Sequence, residues 1–265
     1  MIEFRDLRKA FGPKKVLDGF TLAVQDGETM VVIGSSGTGK SVAIKHVVGL
    51  LEPDAGCVVV DDQVVSELDR EQLTTLRARI GFVFQFAALF DSMSIFENVA
   101  FGLRRRRAMA ESEIEDRVRE ALALVDLAGT ERRMAAELSG GMRKRVGLAR
   151  AIAVRPKYML YDEPTTGLDP VTSAVIDELM VKTREALGVT GIVITHDMRS
   201  AYTVGDRIAM LYRGRVRRVG TVAEIRQSDD PVVRGFIEGR ADARETVEAA
   251  PLSAEEEVAV EGSPA

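Results

Sequence analysis

The sequence predicts an α/β protein whose main sheet is covered on both faces, with a small antiparallel β layer ahead of it and a helical insertion within it. Three observations carry this reading. Short β-branched runs recur at Thr29 to Ile33, Val58 to Val60, Ile80 to Phe84, Tyr158 to Tyr161, Ile192 to Thr195 and Ile208 to Leu211. Several lack polar alternation, and a strand that is apolar on both sides needs cover on both sides. Helical segments lie between the runs, and the long span from Gln85 to Tyr158 holds few strand signals.

Taken in order, the first 27 residues, with Asp18-Gly19 and Asp26-Gly27 as turn candidates, read as strands of the antiparallel layer. Thr29 to Ile33 then runs into a glycine loop followed by a second apolar stretch, Val42 to Leu51: a strand, a loop and a helix. Inside the insertion, Ser112 and Glu115 fit a capping box, and Ile114, Val118, Leu122 and Val125 recur at helical spacing until Gly129. The division expected is one domain over residues 1–238, its helical part over about 86–157, and an acidic tail over 239–265. That tail is rich in Ala, Glu, Pro and Ser with no apolar period, which predicts disorder; a strap that orders on a sister subunit is the alternative.

Composition sets outer bounds. Of 265 residues 46% are apolar, enough for a substantial core. Basic residues number 36 against 41 acidic, a net charge of -5, so there is no global positive field to collect nucleic acid or anionic lipid. The start, MIEFRDLRKAFG, lacks a signal peptide's apolar region, and charges interrupt every apolar run short of the roughly 18 residues a spanning helix needs. A cytosolic chain that reaches a membrane through a partner is expected. The single cysteine, Cys57, excludes an internal disulfide and reads as a small buried hydrophobe.

The glycine loop is Gly34-Ser35-Ser36-Gly37-Thr38-Gly39-Lys40-Ser41, the pattern G-x-x-x-x-G-K-[ST]. Its backbone N–H groups and the following helix N-terminus suit phosphates, Lys40 suits β and γ oxygens, and Ser41 suits Mg²⁺. Val42 offers no hydroxyl there, which leaves any α-phosphate contact to backbone. Kinases, GTPases, helicases and transport ATPases all share such a loop, so it does not name the reaction. At the end of the run Tyr158 to Tyr161 stand Asp162, placed to meet the metal, and Glu163, placed to polarise a water. Consecutive carboxylates favour hydrolysis over transfer to a substrate hydroxyl. A second anion site opens another helix at Leu138-Ser139-Gly140-Gly141-Met142. One nucleotide has no need of two cradles on one chain, so a head-to-tail homodimer with two-fold symmetry and two ATP sites is the economical arrangement.

With these motifs in place, the chain resembles the ATP-binding cassette (ABC) ATPase subunits over about Met1 to Gly235. The resemblance implies a P-loop NTPase (RecA-like) core, an antiparallel β subdomain and an inserted α-helical subdomain. It also implies ATP and Mg²⁺, with Phe11 stacking on adenine and Gln85 meeting the metal and joining core to helical subdomain. Asp169, in Thr-Gly-Leu-Asp, would signal across the dimer, and His196 would touch the γ-phosphate. His196 follows an apolar run at a sheet end where ligands bind; His46, inside the helix after the loop, reads as structural.

The phrases Phe84 to Phe101, Gly140 to Ala151, Tyr161 to Pro170 and Thr195 to Tyr202 are similar to the Mla-type (MCE-associated) phospholipid transport ATPases. Met142, where most transporter ATPases carry Gln, is similar to that branch. The resemblance implies an ATPase dimer on the cytoplasmic face of the inner membrane, beneath two copies of an integral permease. An MCE-domain protein lies beyond the permease, and in many such systems a STAS-domain protein is bound. Phe84 to Phe101 is the candidate groove for a permease helix. Arg104 to Arg107 read as a solvated run, with lipid head groups or an acidic permease loop as the alternative partner. Competing readings are an ABC importer ATPase for another small molecule, a soluble ABC ATPase acting on nucleic acid, and a module that senses ATP without hydrolysing it. One short cassette without a basic balance argues against the second, and Glu163 with His196 against the third.

Overall fold

Strand β1 (Ile2–Phe11) turns at Gly12-Pro13 into β2 (Lys14–Val24), and β3 (Thr29–Ile33) leads through the glycine loop into helix α1 (Lys40–Val47). This computed structural model describes residues 1–105 and 109–240, so Arg106, Arg107 and nearly all of the tail lie outside the described residues. Next come β4 (Ala55–Val60), β5 (Gln63–Val64), α2 (Arg70–Arg77) and β6 (Ile80–Val83). A helical stretch follows: α3 (Ile95–Arg104), α4 (Glu111–Leu124) and α5 (Gly140–Ala153). The chain then alternates through β7 (Tyr158–Asp162), α6 (Pro170–Leu187), β8 (Thr190–Ile194), α7 (Met198–Val204) and β9 (Arg207–Tyr212). It finishes with β10 (Arg215–Thr221), α8 (Val222–Arg226) and α9 (Pro231–Ile237). No helix among the described residues is long and apolar enough to cross a membrane.

Two sheets form. The antiparallel one has the order β2-β1-β4-β5, and the main one β10-β9-β3-β8-β7-β6, parallel except for β10. The main sheet divides the core in two. Val31 and Ile33 of β3, Tyr161 of β7 and Val193 of β8 pack under α3 to α6. Met30, Val32, Leu160, Ile192 and Ile194, their alternate neighbours, pack against α1 and the antiparallel sheet. Both faces of each strand are therefore buried, which is why these runs show no polar alternation.

Three local expectations are corrected. Asp18-Gly19 is not a turn: β2 runs through it, and the pairing with β1 changes register there. Val58 to Val60 joins the antiparallel sheet through β1 and not the main sheet. Ser112 does not cap α4, which starts at Glu111 after Ala110. The capping box forms instead at α3, where the Ser94 hydroxyl accepts from Glu97 N–H and Glu97 accepts from Ser94 N–H at 2.7 Å.

Candidate nucleotide site

Parallel strands put their C-terminal ends on one edge, and the register aligns those ends here: Val32 pairs Ile194, and Ile194 pairs Asp162. The glycine loop, Asp162-Glu163 and the segment after β8 that carries His196 thus meet, although they lie far apart in sequence. The loop is shaped by close approach. A Cβ on Gly34 (φ +151°) would lie 2.5 Å from the Leu211 carbonyl, and one on Gly39 (φ +104°) 2.9 Å from the Val16 carbonyl. The first N–H bond of α1 runs from Ala43 to Gly39 at 2.9 Å. The N–H groups of Lys40, Ser41 and Val42 consequently have no helical acceptor and face the loop, a natural anion seat. Val42 contributes only that backbone group, since its side chain packs into the core.

Lys40 is 4% exposed and folds over the loop, donating to the carbonyls of Gly34 at 2.8 Å and Ser35 at 2.9 Å. Thr38 closes the same turn by donating to Ser35 O at 2.8 Å, while Ser36 and Gly37 form the outer bend. Burial pulls the Lys40 ammonium below its usual pKa, and the charges of Glu163 and Asp162 push it back up. The Ser41 hydroxyl donates to Asp162 Oδ1 at 2.6 Å. Two hard oxygen donors side by side are the donor set that Mg²⁺ takes while sharing phosphate oxygens, so these residues fit the metal.

Glu163 adopts a left-handed backbone (φ +49°), a conformation that costs a non-glycine residue roughly 1 kcal/mol or more. The bend turns its carboxylate toward His196, whose Nδ1 lies 2.7 Å from Oε2. Thr166 Oγ1 donates to the same oxygen at 2.5 Å. Both bonds fall on Oε2, which leaves Oε1 for a water. Thr166 was not singled out by sequence reasoning; its place in the turn after Asp162-Glu163 was the available signal.

Of the remaining expected residues, Gln85 follows β6 on this same sheet edge, and the others are placed elsewhere. Phe11 stands half-exposed at the β1–β2 tip, with Lys9 Nζ 5.8 Å from its ring centroid. Gln85 lies past β6, where Ala87 (φ +57°) and Ala88 (φ +48°) form a strained bend. Arg150 of α5 holds that bend, donating to Ala87 O and Ala88 O at 2.7 Å each. Ser139, Gly140, Gly141 and Asp169 form a second locus. The Ser139 hydroxyl accepts from Met142 N–H at 3.4 Å, and Asp169 caps α6 by accepting from Val171 and Thr172 N–H at 3.0 Å. A Cβ on Gly141 would meet Thr172 Cγ2 at 2.6 Å, so the two turns touch. No hydrogen bond among the described residues joins this locus to Lys40, Ser41 or Asp162. His46 is buried, its Nδ1 2.8 Å from Val42 O, and burial lowers its pKa.

The fold and the edge site define a P-loop nucleotide hydrolase. Residues 17–166 match the family model described as ABC transporter. The chain is similar, at 42% identity over 239 residues, to "Probable ribonucleotide transport ATP-binding protein mkl" of Mycobacterium tuberculosis, covering 90% of this chain and 67% of that one. It is 41% identical over 259 residues to trigalactosyldiacylglycerol 3, chloroplastic, of Arabidopsis thaliana, covering 91% and 74%. It is 40% identical over 240 residues to the sulfate/thiosulfate import ATP-binding protein CysA of Xanthomonas campestris, covering 89% and 68%. Among solved structures, the dimeric post-hydrolysis state of the ATP-binding cassette MJ0796 with ADP and Pi superposes with a TM-score of 0.76 at 34% identity. That match covers 84% of this chain and 99% of the other. The chain belongs to the ABC transporter family and is its ATP-binding, ATP-hydrolysing subunit.

Proposed function

We propose that this ATPase works as a homodimer that energises phospholipid transport through a membrane permease and an MCE-domain protein. The observation that carries the catalytic part is the Glu163–His196–Thr166 cluster beside Ser41–Asp162, all on one sheet edge. Lys40 and the free N–H groups of α1 bind the phosphates of ATP, and Phe11 stacks on the base. Ser41, Gln85 and Asp162 would hold Mg²⁺, which supplies charge neutralisation at the β and γ oxygens. Glu163 accepts the proton of the attacking water through Oε1, while His196 and Thr166 fix its orientation. Ser139 and Gly140-Gly141 close on the ATP of the other subunit. Because the Ser139 oxygen already accepts from Met142 N–H, its own hydrogen is left to donate to the γ-phosphate.

Residues 1–238 form the cassette, with residues 86–157 the part that moves the permease. Phe86, 82% exposed, and half-exposed Phe90 offer an apolar surface for it. The lipid assignment is supported by the similarity to the Arabidopsis protein, whose name carries a galactolipid, and by the Phe84 to Phe101 phrase. The similarity to CysA favours a second reading, import of a small solute. Both place the chain peripherally on the cytoplasmic face of the inner membrane. Purification of the tagged protein from detergent-solubilised membranes, with mass spectrometry of accompanying proteins and lipids, decides between them. A permease, an MCE protein and phospholipid are expected, and a STAS-domain partner would appear in the same preparation. A soluble solute-binding protein in their place overturns the lipid reading.

A further inference from the structure

Lys144 lies on α5, five residues beyond Ser139 and so about 7 Å along the helix axis. It is 7% exposed, and its side chain points between two segments that the sequence keeps far apart. The ammonium donates to the backbone carbonyl of Gln85 and, at 3.4 Å, to that of Glu163. Burial lowers its pKa while the nearby Glu163 and Asp162 charges raise it, as for Lys40. An unpaired ammonium in such a place would be costly, so the tie to both carbonyls is enforced. The neighbouring cations of α5 reinforce one side of it: Arg150 holds Ala87 and Ala88, and Arg143 pairs with Asp91 at 2.7 Å.

We propose that Lys144 is a positioning residue that couples the two ATP sites of the dimer, by tying the helix that answers one nucleotide to the backbone that hydrolyses the other. The proposal rests on the head-to-tail dimer given under Proposed function. In that dimer Ser139 responds to ATP held by the partner, whereas Gln85 and Glu163 serve the ATP held by their own chain. Helix α5 starts at the responding turn, and its buried ammonium grips both serving segments, so a displacement of the helix start reaches Gln85 and Glu163 together. One lysine thereby makes hydrolysis at each site conditional on occupancy of the other. No motif of the chain assigns Lys144 this part, and its ammonium is spent on the backbone carbonyls of Gln85 and Glu163.

The test is steady-state hydrolysis against ATP concentration for full-length protein carrying Lys144→Met, which removes the donor, and Lys144→Gln, which keeps one. Two coupled sites allow a Hill coefficient approaching two. Lys144→Met should lower it toward one and reduce kcat about tenfold, with the affinity of monomer for a fluorescent ATP analogue unchanged; Lys144→Gln should recover part of the cooperativity. Wild-type cooperativity in folded Lys144→Met overturns the proposal. Hydrogen exchange on Glu163→Gln protein needs no change at Lys144 and guards against a variant that does not fold. ATP should slow exchange at residues 85–88 in step with residues 140–147, and protection of the helix start alone overturns the coupling. If Glu163→Gln fails to dimerise with ATP, the dimer reading itself is lost, a different failure from a dimer whose cooperativity ignores Lys144.

Discussion

The sheet-edge locus and the Ser139–Asp169 locus are both built from turns at helix starts, yet they spend their polar groups differently. At the edge, the functional side chains bind one another: Ser41 to Asp162 at 2.6 Å and His196 to Glu163 at 2.7 Å. At the other locus they bind their own helix starts, with Val171, 76% exposed, projecting beside Asp169. A constellation closed on itself can hold a substrate within one chain. In the proposed head-to-tail dimer, a pair of capped turns with an unspent hydroxyl hydrogen and an exposed apolar neighbour would serve as half of an interface, gaining its chemistry from what is brought to it. On the dimer reading proposed above, the chain would carry one site that is nearly complete and one that needs a second copy.

Several measurements would sharpen or break that contrast. The largest effect is expected from Glu163→Gln, where loss of the base should reduce kcat by about 10² to 10⁴ while ATP stays bound and the closed dimer accumulates. Near-normal hydrolysis would remove Glu163 from its role. Ser139→Ala should cost about a hundredfold in turnover, on the scale of one lost donor to a developing anion, without changing the affinity of monomer for ATP. If monomer binding fails too, the second locus is not an interface and the contrast collapses. Thr166→Val removes one of the two groups holding Glu163 Oε2, and a single hydrogen bond of about 1 kcal/mol sets the expectation at a fivefold to tenfold loss in kcat with little change in KM. An unchanged kcat would mean that His196 suffices.

The last effect is read in stability and not in turnover, and it concerns what lies behind both loci. Asp177 on α6 is buried, accepts from Ser200 Oγ at 2.8 Å, and through Ser200 reaches Thr165 at 3.4 Å. Burial pushes its carboxyl up to about 6, the Ser200 hydrogen bond opposes this, and the Asp197 charge adds to it. The native state therefore keeps this proton over a range, roughly pH 4 to 6, where the unfolded chain has released it. The associated stability is fully present below about pH 4 and is lost as pH rises through 6. Asp177→Asn cannot ionise, so relative to wild type it should gain about 1 to 3 kcal/mol between pH 4 and pH 8, read as a difference in thermal midpoint. A difference that does not vary with pH would show that the Asp177 carboxyl ionises alike in the native and unfolded states, with no upward shift on folding.

Much of the catalytic edge was legible because its parts are local. A glycine loop between an apolar strand and a helix states its own backbone geometry, and an apolar strand ending in Asp162-Glu163 states its own polarity. The partners of those groups were less legible. Lys144 stands between Arg143 and Arg145 and was not singled out from the sequence, although its helical spacing to buried Leu148 and Ala151 was a usable signal. The Glu163–His196 contact joins the ends of β7 and β8, and only their parallel register brings it about. The misread turn at Asp18-Gly19 has the same cause. A pair of residues that commonly makes a hairpin was overridden by pairing of β2 along β1, and the capping box fell at Ser94-Glu97 instead of Ser112-Glu115.

By itself the sequence determined the class of fold and the chemistry that each motif can offer, since apolar runs, glycine positions and charge pairs act through residues that are neighbours along the chain. Tertiary structure alone decided which sheet Val58 to Val60 joins, which of three consecutive cations is buried, and how Glu163 is bent toward His196. Those outcomes depend on strand pairing and burial between distant segments, and the free energy of such contacts is shared among residues that no local window contains.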